Sequence, residues 1–220
     1  MRDSPLVNLK TLFYQQIVVI LTLNNEKMSQ TSTLNLTFEQ YLVYDDRTDN
    51  RYELVNGELI MVPLPSADHA DIIDLLLEIF RAEIRKFNLP LKASDKVGVY
   101  IGKSLVTDRD YSRNPDICVM QSEAWLSLKA NKTAAVLRTA PILVVEVVST
   151  NRTDDYVDKV NEYQRVGIYE YWIVDGRESK ISVLLLNDGR YNVTEFRGNE
   201  RIISPTFPNL TLSAEQILSV

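Results

Sequence analysis

The chain has 220 residues, of which 45% are hydrophobic and 25% are charged, and its formal net charge is −6. This length and balance are typical of one α/β domain with a sizeable core. The acidic net charge argues against indiscriminate polyanion binding over the whole surface, although it says nothing about a local patch. The single cysteine, Cys118, excludes an intrachain disulfide, and no Cys/His cluster has zinc-ligand spacing. We therefore expect a reducing, cytoplasmic compartment.

The first 27 residues differ in character from the rest. An apolar run over Leu12–Leu23 is too short to span a bilayer, and no signal-peptide cleavage site follows it. A second methionine, Met28, precedes a polar segment of the kind with which chains commonly begin. We interpret residues 1–27 as a poorly ordered extension or a start-site artefact, and residues 28–220 as a single domain. The alternative is a strand or helix docked on that domain or on a partner chain.

The first half of the domain contains signals for short helices and a hairpin. A capping box at Thr37–Gln40 predicts a short helix, and Asn56-Gly57 predicts a β-hairpin over Arg51–Met61. Ser66 can cap a longer helix that runs to about Phe87. Further elements are expected in this order: strands over Lys92–Ile101 and Asn114–Met120 with a loop between them, a short helix over Ser122–Leu128, and an irregular stretch over Asn131–Thr139.

The stretch Pro141–Asp175 is the centre of the predicted fold. Ile142–Val148 is apolar at every position except Glu146, which is typical of a strand covered on both faces. A helix capped at Thr153 or Asp154 follows, and Glu170–Asp175 begins a second apolar strand. A second hairpin and a last capping box are expected after this unit: Ile181–Leu186 with Tyr191–Phe196, and Ser213–Gln216. The sequence therefore predicts an α/β fold with a mixed central sheet, flanking helices and extra N- and C-terminal β-hairpins.

Two acids are expected to meet at one corner of this sheet. If the strand after Pro115-Asp116 runs antiparallel to Ile142–Val148, then Asp116 and Glu146 converge, because the start of one strand lies beside the end of the other. A buried carboxylate is costly unless a cation, a metal or hydrogen-bond donors compensate it. The two carboxylates, the backbone carbonyl of Val147 and waters would form a reasonable octahedral Mg²⁺ site. Such a metal polarises a phosphodiester and lowers the pKa of an attacking water.

These motifs resemble known nucleases. Pro115-Asp116 and Glu146 resemble the PD-(D/E)XK nuclease superfamily, although Val148 stands where those enzymes carry a lysine. The wider pattern is similar to the Uma-type putative restriction endonuclease family, long filed as a domain of unknown function. The pattern comprises YELVNGEL, His69, NPDICV, VVEVVST, Arg152, Lys159, Tyr163, Gly167 and EYWIVD. The resemblance covers about Thr37 to Phe207 and implies a restriction-endonuclease-like fold, a divalent metal (Mg²⁺ or Mn²⁺) and action on nucleic acid.

Lys159 is the candidate for the displaced lysine. On a regular helix it lies on the flank of a buried stripe that includes Tyr163, from which a long side chain can reach the sheet corner. The alternative is an exposed helix lysine paired with Asp155. We take Asp116, Glu146 and Lys159 as the predicted catalytic set. The structural alternatives are that Glu146 is bonded to a neighbouring Arg or Tyr and that Asp116 is a turn residue at the start of a strand.

Three further residues are auxiliary candidates, each with a structural alternative. Glu53 is a third acid at the metal, or it pairs with Arg51 or Arg47. His69 is a second base or a substrate contact, or it forms a hydrogen bond at the helix start. Arg152 contacts phosphate, or it caps local carbonyl groups.

Positive charge is concentrated in one segment. Between Arg81 and Arg113 there are eight bases against four acids. One interpretation is a basic rim that contacts phosphates, and the other is a solvated face. The eight bases of this segment are Arg81, Arg85, Lys86, Lys92, Lys96, Lys103, Arg109 and Arg113.

The sequence therefore predicts a metal-dependent phosphodiesterase, an endonuclease acting on DNA in preference to RNA, without a membrane-spanning segment. By analogy with nucleases of this fold, a homodimer is expected. Two alternatives remain open. One is a catalytically degenerate nuclease-fold protein that binds nucleic acid or a partner, and the other is a metallohydrolase of small phosphoesters.

Overall fold

The structure is a computed structural model that describes residues 35–131, 134–149 and 152–220. The predicted extension, residues 1–27, lies outside the described residues. The helices are α1 (Phe38–Leu42), α2 (Ala67–Lys86), α3 (Ser122–Asn131), α4 (Lys159–Val166), which a π-helical turn (Asp154–Asp158) precedes, and α5 (Ala214–Leu218). The strands are β1 (Tyr52–Val55), β2 (Glu58–Met61), β3 (Leu91–Ser94), β4 (Gly98–Lys103), β5 (Asp110–Arg113), β6 (Ile117–Gln121), β7 (Val136–Leu137), β8 (Leu143–Val147), β9 (Glu170–Asp175), β10 (Lys180–Asn187) and β11 (Arg190–Phe196).

The strands form two mixed sheets. The small sheet has the order β2-β1-β5-β4-β7, and the large sheet has the order β11-β10-β9-β8-β6-β3. The β8–β9 and β4–β7 pairs are parallel, and the other pairs are antiparallel. The architecture confirms the predicted mixed α/β fold.

The large sheet is covered on both faces, as the apolar run around Glu146 predicts. Leu143, Val145 and Val147 of β8 belong to a core cluster that includes residues of α2 and α5. Val144 belongs to a second cluster, which includes residues of β4 and Tyr163 of α4. Because successive side chains of a strand point to opposite faces, β8 contributes to both cores.

Local signals locate several elements correctly. Thr37 and Ser213 form the predicted capping boxes, and Ser66 accepts a hydrogen bond from the backbone N–H of His69 at the start of α2. Asn56 and Gly57 both have positive φ, 54° and 77°, as the β1–β2 hairpin turn requires. Gly167 ends α4 in the left-handed conformation with φ of 89°.

The prediction of one strand over Lys92–Ile101 is wrong. The side chain of Ser94 accepts a hydrogen bond from the N–H of Lys96, and this turn separates β3 in the large sheet from β4 in the small sheet. The expected loop before Asn114 contains β5, and the stretch expected to be irregular contains β7. The hydrophobic pattern alone did not reveal that the chain passes from one sheet to the other.

The predicted helix cap after β8 is also wrong. Thr153 has helical backbone angles (φ −61°, ψ −38°) and makes no capping hydrogen bond through its side chain. The chain enters α4 through the π-helical turn instead. None of the helices in the described part of the chain is long and apolar enough to cross a membrane.

Candidate active site

Asp116 and Glu146 lie at the same corner of the large sheet. The β6–β8 pairing is antiparallel, with Ile117 opposite Val145, so Asp116 precedes β6 at the end where β8 leaves the sheet. The Oδ2 atom of Asp116 accepts a hydrogen bond of 2.7 Å from the N–H of Val147. The antiparallel arrangement on which the predicted acid pair depends is therefore present.

Glu146 is a buried acid, with only 2% of its surface exposed. Its Oε1 atom accepts a hydrogen bond of 2.5 Å from the hydroxyl of Tyr163, and its Oε2 atom lies 2.9 Å from Nζ of Lys159. Burial raises the pKa of Glu146 to about 8; Lys159 opposes this rise, and the negative charges of Asp116 and Asp155 add to it. A cation at this corner would therefore favour the ionised form of Glu146.

Lys159 is buried as well, so the interpretation of it as an exposed helix lysine is wrong. Its Nζ atom contacts Glu146 and lies 2.9 Å from Oδ1 of Asp155 and 3.6 Å from Oδ2 of Asp154. Burial lowers the pKa of the ammonium, but Glu146 and Asp155 outweigh that effect, and the pKa lies well above its ordinary value. Lys159 is thus a charged side chain held among three acids, and the expected pair with Asp155 is one of its contacts.

The π-helical turn places two of these three acids beside Lys159. Asp154 and Asp155 lie in this turn, immediately before α4. A π-helical segment widens a helix by one residue and occurs frequently at functional sites. The hydroxyl of Tyr171 donates to the backbone carbonyl of Asp155 at 2.9 Å and so ties the turn to β9.

The side chain of His69 contacts Asp116, and its backbone contacts the start of its own helix. Its Nε2 atom lies 3.0 Å from Oδ2 of Asp116, and its side chain is 15% exposed. The hydrogen bond at the helix start is made by the backbone N–H of His69, which donates to Oγ of Ser66. The first turn of α2 thus contributes a side chain that orients Asp116.

Glu53 pairs with Arg113, so the predicted pairing with Arg51 or Arg47 is wrong. One oxygen of Glu53 lies 3.0 Å from Nη1 of Arg113, and the other accepts the backbone N–H of Asn114 at 2.8 Å. Because both oxygens have donors, Glu53 is part of a buried ion network beside the Asp116–Glu146 corner.

Arg113 is the centre of this network and does not belong to an exposed basic rim. Its guanidinium contacts Glu162 of α4 at 2.7 Å and Asp154 of the π-helical turn at 3.1 Å, in addition to Glu53. Its side chain is 6% exposed. Arg113 therefore does not contribute to the predicted eight-residue basic rim, because its guanidinium is directed inwards.

The corner presents two carboxylates of the kind that a small divalent cation binds. Among the described residues, no group of three or more His, Cys, Asp or Glu side chains is arranged to hold a metal ion. Magnesium, however, commonly binds through one or two carboxylates and keeps water and phosphate oxygens as its other ligands. Asp116 and Glu146 supply two hard oxygen donors in a region with more acids than permanent cations, and the predicted carbonyl of Val147 lies in the same strand end.

Comparison with known proteins identifies the family. A family model described as "Uma2: Putative restriction endonuclease" matches residues 38–215. The chain belongs to the Uma2 family. A comparison with curated proteins gave no match.

A solved structure has the same fold as this member of the Uma2 family. It is the crystal structure of a putative nuclease belonging to DUF820 from Anabaena variabilis ATCC 29413. The two chains are 20% identical and superpose with a TM-score of 0.66, over 84% of this chain and 98% of the other. The predicted restriction-endonuclease-like fold is confirmed.

Two features of this Uma2 chain depart from the usual nuclease pattern. Val148, at the position of the usual lysine, is partly buried beside β9, where its N–H donates to the carbonyl of Val174. The ammonium close to Glu146 comes instead from Lys159 on the following helix. The structure thus brings Asp116, Glu146 and Lys159 together.

Arg152 is bound to two acids, one at the end of β9 and one just beyond it. Its Nη2 atom lies 3.0 Å from Oδ2 of Asp175, its Nη1 atom lies 3.2 Å from Oε1 of Glu178, and its guanidinium lies 5.3 Å from the ring centre of Tyr156. It therefore anchors the start of the helical segment, and the predicted contact with phosphate remains a prediction.

Sequence reasoning assigned no role to several residues of the site. The sequence predicts Tyr163 only as part of a buried stripe, although its position four residues after Lys159 places both side chains on one helix face. This spacing was the available signal that Tyr163 contacts the same acid as Lys159. For the pairing of Arg113 with Glu162 we find no local signal, because the two residues are 49 positions apart.

Proposed function

We propose that this protein is a metal-dependent endonuclease that hydrolyses phosphodiester bonds in DNA, with Asp116, Glu146 and Lys159 as its catalytic residues. The observation that carries the proposal is the contact between Lys159 and Glu146, 2.9 Å long, at the corner where Asp116 also lies. An acid pair with an adjacent ammonium is the set of groups that metal-assisted hydrolysis requires. Membership of a family described as restriction endonucleases supports the same conclusion.

Each residue has a distinct role in this proposal. Asp116, Glu146 and the carbonyl of Val147 would hold Mg²⁺ or Mn²⁺, which would neutralise phosphate charge and lower the pKa of a bound water. Lys159 donates to the attacking water and stabilises the negative charge that develops on the phosphate. Tyr163 orients Glu146 through its hydroxyl, and His69 orients Asp116.

The charge balance of the site supports the need for a cation. Six carboxylates make up the site and its ion network: Glu53, Asp116, Glu146, Asp154, Asp155 and Glu162. Among the described residues, the permanent cations that contact them are Arg113 and Lys159. A bound divalent ion and an incoming phosphate would together bring this excess of negative charge closer to neutrality.

The test is a cleavage assay on supercoiled plasmid, single-stranded DNA and RNA with Mg²⁺, with Mn²⁺ and with a chelator. We expect nicking or linearisation of plasmid that requires the metal and that Glu146→Gln abolishes. Glu170→Gln is a matched control, because Glu170 is a buried acid of the neighbouring strand that instead accepts from Trp172 and Thr206. Metal-independent cleavage, or equal loss in both variants, would contradict the proposal.

Metal binding is measured separately by thermal unfolding. A ligand that binds the folded state raises the melting temperature. We expect Mg²⁺ to raise it for the wild type and for Glu170→Gln but not for Glu146→Gln. An equal rise in all three proteins would place the metal elsewhere.

A non-cleaving nucleic-acid-binding protein is the second candidate. Val148 in place of the usual lysine favours it, and so does the engagement of both Glu146 oxygens by Tyr163 and Lys159. Retained DNA binding without cleavage of any substrate, in either metal, would support this candidate over the first.

The homodimer and the cytoplasmic location belong to the same proposal. One site of this kind cuts one strand at a time, so a second copy related by twofold symmetry would cut the other strand. Analytical ultracentrifugation with and without a duplex tests the dimer.

A further inference from the structure

We infer that the tip of the β4–β5 hairpin, residues Ser104–Arg109, is a wedge that enters a groove of duplex DNA beside the active site. This inference rests on the proposed function, because it assumes that nucleic acid is the substrate. It goes further by naming the surface that grips the duplex. We call this segment the hairpin tip.

The hairpin tip presents two adjacent aliphatic side chains to solvent. Leu105 and Val106 are each 92% exposed. Single exposed apolar residues are ordinary on protein surfaces, but two adjacent ones at the end of a hairpin form a small apolar surface. Aliphatic side chains inserted at base steps are a common device of proteins that bind the minor groove.

Hydrogen bonds hold the hairpin tip in shape. Oγ of Ser104 accepts the N–H groups of Val106 and Thr107, and the carbonyl of Ser104 accepts the N–H of Asp108. The hydroxyl of Thr107 also donates to Oδ1 of Asn56 in the β1–β2 turn. Because the tip is already ordered, inserting it into a groove costs little conformational entropy.

Cations surround the apolar residues. Lys103, Arg109 and Arg165 are exposed. Lys103 pairs with Asp108 of the tip at 3.2 Å, whereas among the described residues neither arginine has a salt-bridge partner. Arg165 of α4 donates to the carbonyl of Lys103 at 2.7 Å, which fixes its guanidinium beside the hairpin. A hairpin tip with apolar side chains and flanking cations complements a groove floor that lies between two phosphate backbones.

The hairpin and the catalytic cluster share strand β5. Arg113 ends this strand and contacts Asp154 and Glu162 beside Lys159, whereas Asp110 begins it next to the hairpin tip. At about 3.3 Å per residue, the tip lies roughly 15–20 Å along β5 from Arg113. At about 3.4 Å per base pair, that separation corresponds to roughly five base pairs.

The small apolar surface of the hairpin tip favours DNA over a protein partner. A stable protein–protein interface buries about 800 Å² on each partner, which two aliphatic side chains do not approach. A wedge between base steps needs only one or two side chains, because the flanking cations supply most of the affinity. Duplex DNA is therefore the occupant that fits both the apolar residues and the charges.

The experiment measures binding rather than cleavage, in a Glu146→Gln background that keeps the duplex intact. Fluorescence anisotropy with a labelled 30-base-pair duplex compares Leu105→Ser/Val106→Ser with the control Val193→Ser. Val193 is an exposed aliphatic residue (58%) on β11, at the far edge of the large sheet. We expect the tip variant to bind about tenfold or more weakly, and the control to bind as the parent does.

Duplexes with 2-aminopurine at successive positions provide a direct probe of the wedge. The parent should raise the probe's fluorescence at one or two adjacent steps, where stacking is disrupted, and the tip variant should not. Arg165→Gln should weaken binding and reduce the salt dependence, because it removes a phosphate contact. Equal affinity and equal 2-aminopurine signals in the tip variant and Val193→Ser would overturn the inference.

Two further outcomes separate this inference from the proposed function. If the wild type cleaves no substrate but the parent shows the tip-dependent signal, the endonuclease proposal fails and the wedge stands. If the tip variant binds DNA normally but sediments differently from the parent, the hairpin tip is a contact between copies of the protein. The inference that it enters a DNA groove is then wrong.

Discussion

Glu146 shows how one buried carboxylate is stabilised in this fold. Its two oxygens contact the hydroxyl of Tyr163 and the ammonium of Lys159, two side chains one helical turn apart. Without those donors the ionised carboxylate would be strongly destabilised by the loss of water. A residue that is so costly to ionise, next to a charged lysine, is typical of a functional site.

The first prediction concerns the pH dependence of stability in the metal-free protein. Burial raises the pKa of Glu146 from 4.5 to about 8. Between these values the folded state keeps a proton that the unfolded state releases, so the free energy of unfolding falls as pH rises from about 4.5 to 8. Glu146→Gln should remove that decline, which is on the order of a few kcal/mol.

Urea unfolding at pH 5, 6.5 and 8 with a chelator measures this effect. The wild type should lose stability relative to Glu146→Gln as the pH rises. Parallel stability curves for the two proteins would show that Glu146 does not bind a proton more tightly in the folded state.

The second prediction concerns Lys159. Lys159→Met keeps an apolar stem but removes the charge, so turnover should fall on the order of a hundredfold or more. The variant also leaves Glu146 and Asp155 without their cation, which should cost about 3–5 kcal/mol of stability.

The double variant Lys159→Met/Asp155→Asn separates the two effects. Neutralising Asp155 should recover part of the stability, while turnover stays low. Wild-type turnover in the double variant would show that Lys159 stabilises the fold and has no catalytic role.

At the scale of elements, Arg113 connects the small sheet to the helix that carries Lys159. It extends from β5 and contacts Glu53 of β1, Asp154 of the π-helical turn and Glu162 of α4. The network joins three separate segments through one guanidinium, whose several N–H donors suit multiple carboxylates. We infer that this network positions α4, and therefore Lys159, relative to the acids of the large sheet.

The third prediction tests that role. Arg113→Met alone should be strongly destabilising, because it leaves buried acids unpaired. Adding Glu53→Gln and Glu162→Gln should restore much of the stability without restoring the connection. In this triple variant we expect kcat to fall about tenfold or more with a smaller change in KM, because the positioning of reacting groups is lost.

Hydrogen exchange gives a second measurement, which does not depend on activity. Amide protection in Asp154–Val166 should fall in the triple variant and stay unchanged in Arg138→Met. Arg138 pairs with Glu39 at the surface, where such a pair contributes at most about 1 kcal/mol. Unchanged amide protection and unchanged kcat in the triple variant would show that Arg113 stabilises the fold but does not position α4.

At the scale of the whole molecule, a net charge of −6 and an acidic site oppose the approach of a polyanion. The proposed binding of nucleic acid therefore requires local cations, and we expect the segment Arg81–Arg113, apart from the inward-directed Arg113, to supply them. Arg85 and Lys96 of this segment are exposed, whereas Arg81 lies near Asp95 and donates to the carbonyl of Ala93.

The fourth prediction is that Arg85→Glu/Lys96→Glu weakens DNA binding and flattens its dependence on salt, since fewer counterions are released. The free energy of unfolding should hardly change, because exposed charges contribute little. Arg190→Glu on the far-edge strand β11 is the control for charge reversal. If the double variant and the control have the same affinity for DNA and the same salt dependence, the segment is a solvated face that does not contact phosphates.

The sequence alone determined the parts of this protein that depend on neighbouring residues. Capping boxes at Thr37 and Ser213 and the Asn56-Gly57 turn were predictable, because their hydrogen bonds and backbone angles involve residues within a few positions. The apolar run around Glu146 predicted a central strand for the same reason. With the resemblance to nucleases, these signals were sufficient for the fold and for a hypothesis about the acids.

Tertiary structure decided which charges meet. Whether Lys159 points into the site depended on the π-helical turn, and two of the partners of Arg113, Glu162 and Glu53, lie 49 and 60 positions away in the chain. The split between β3 and β4 likewise reflects the pairing of two consecutive segments with different sheets. Contacts of this kind form only when distant segments pack together, so burial, rather than any local pattern, turned an apparent surface arginine into the centre of an ion network.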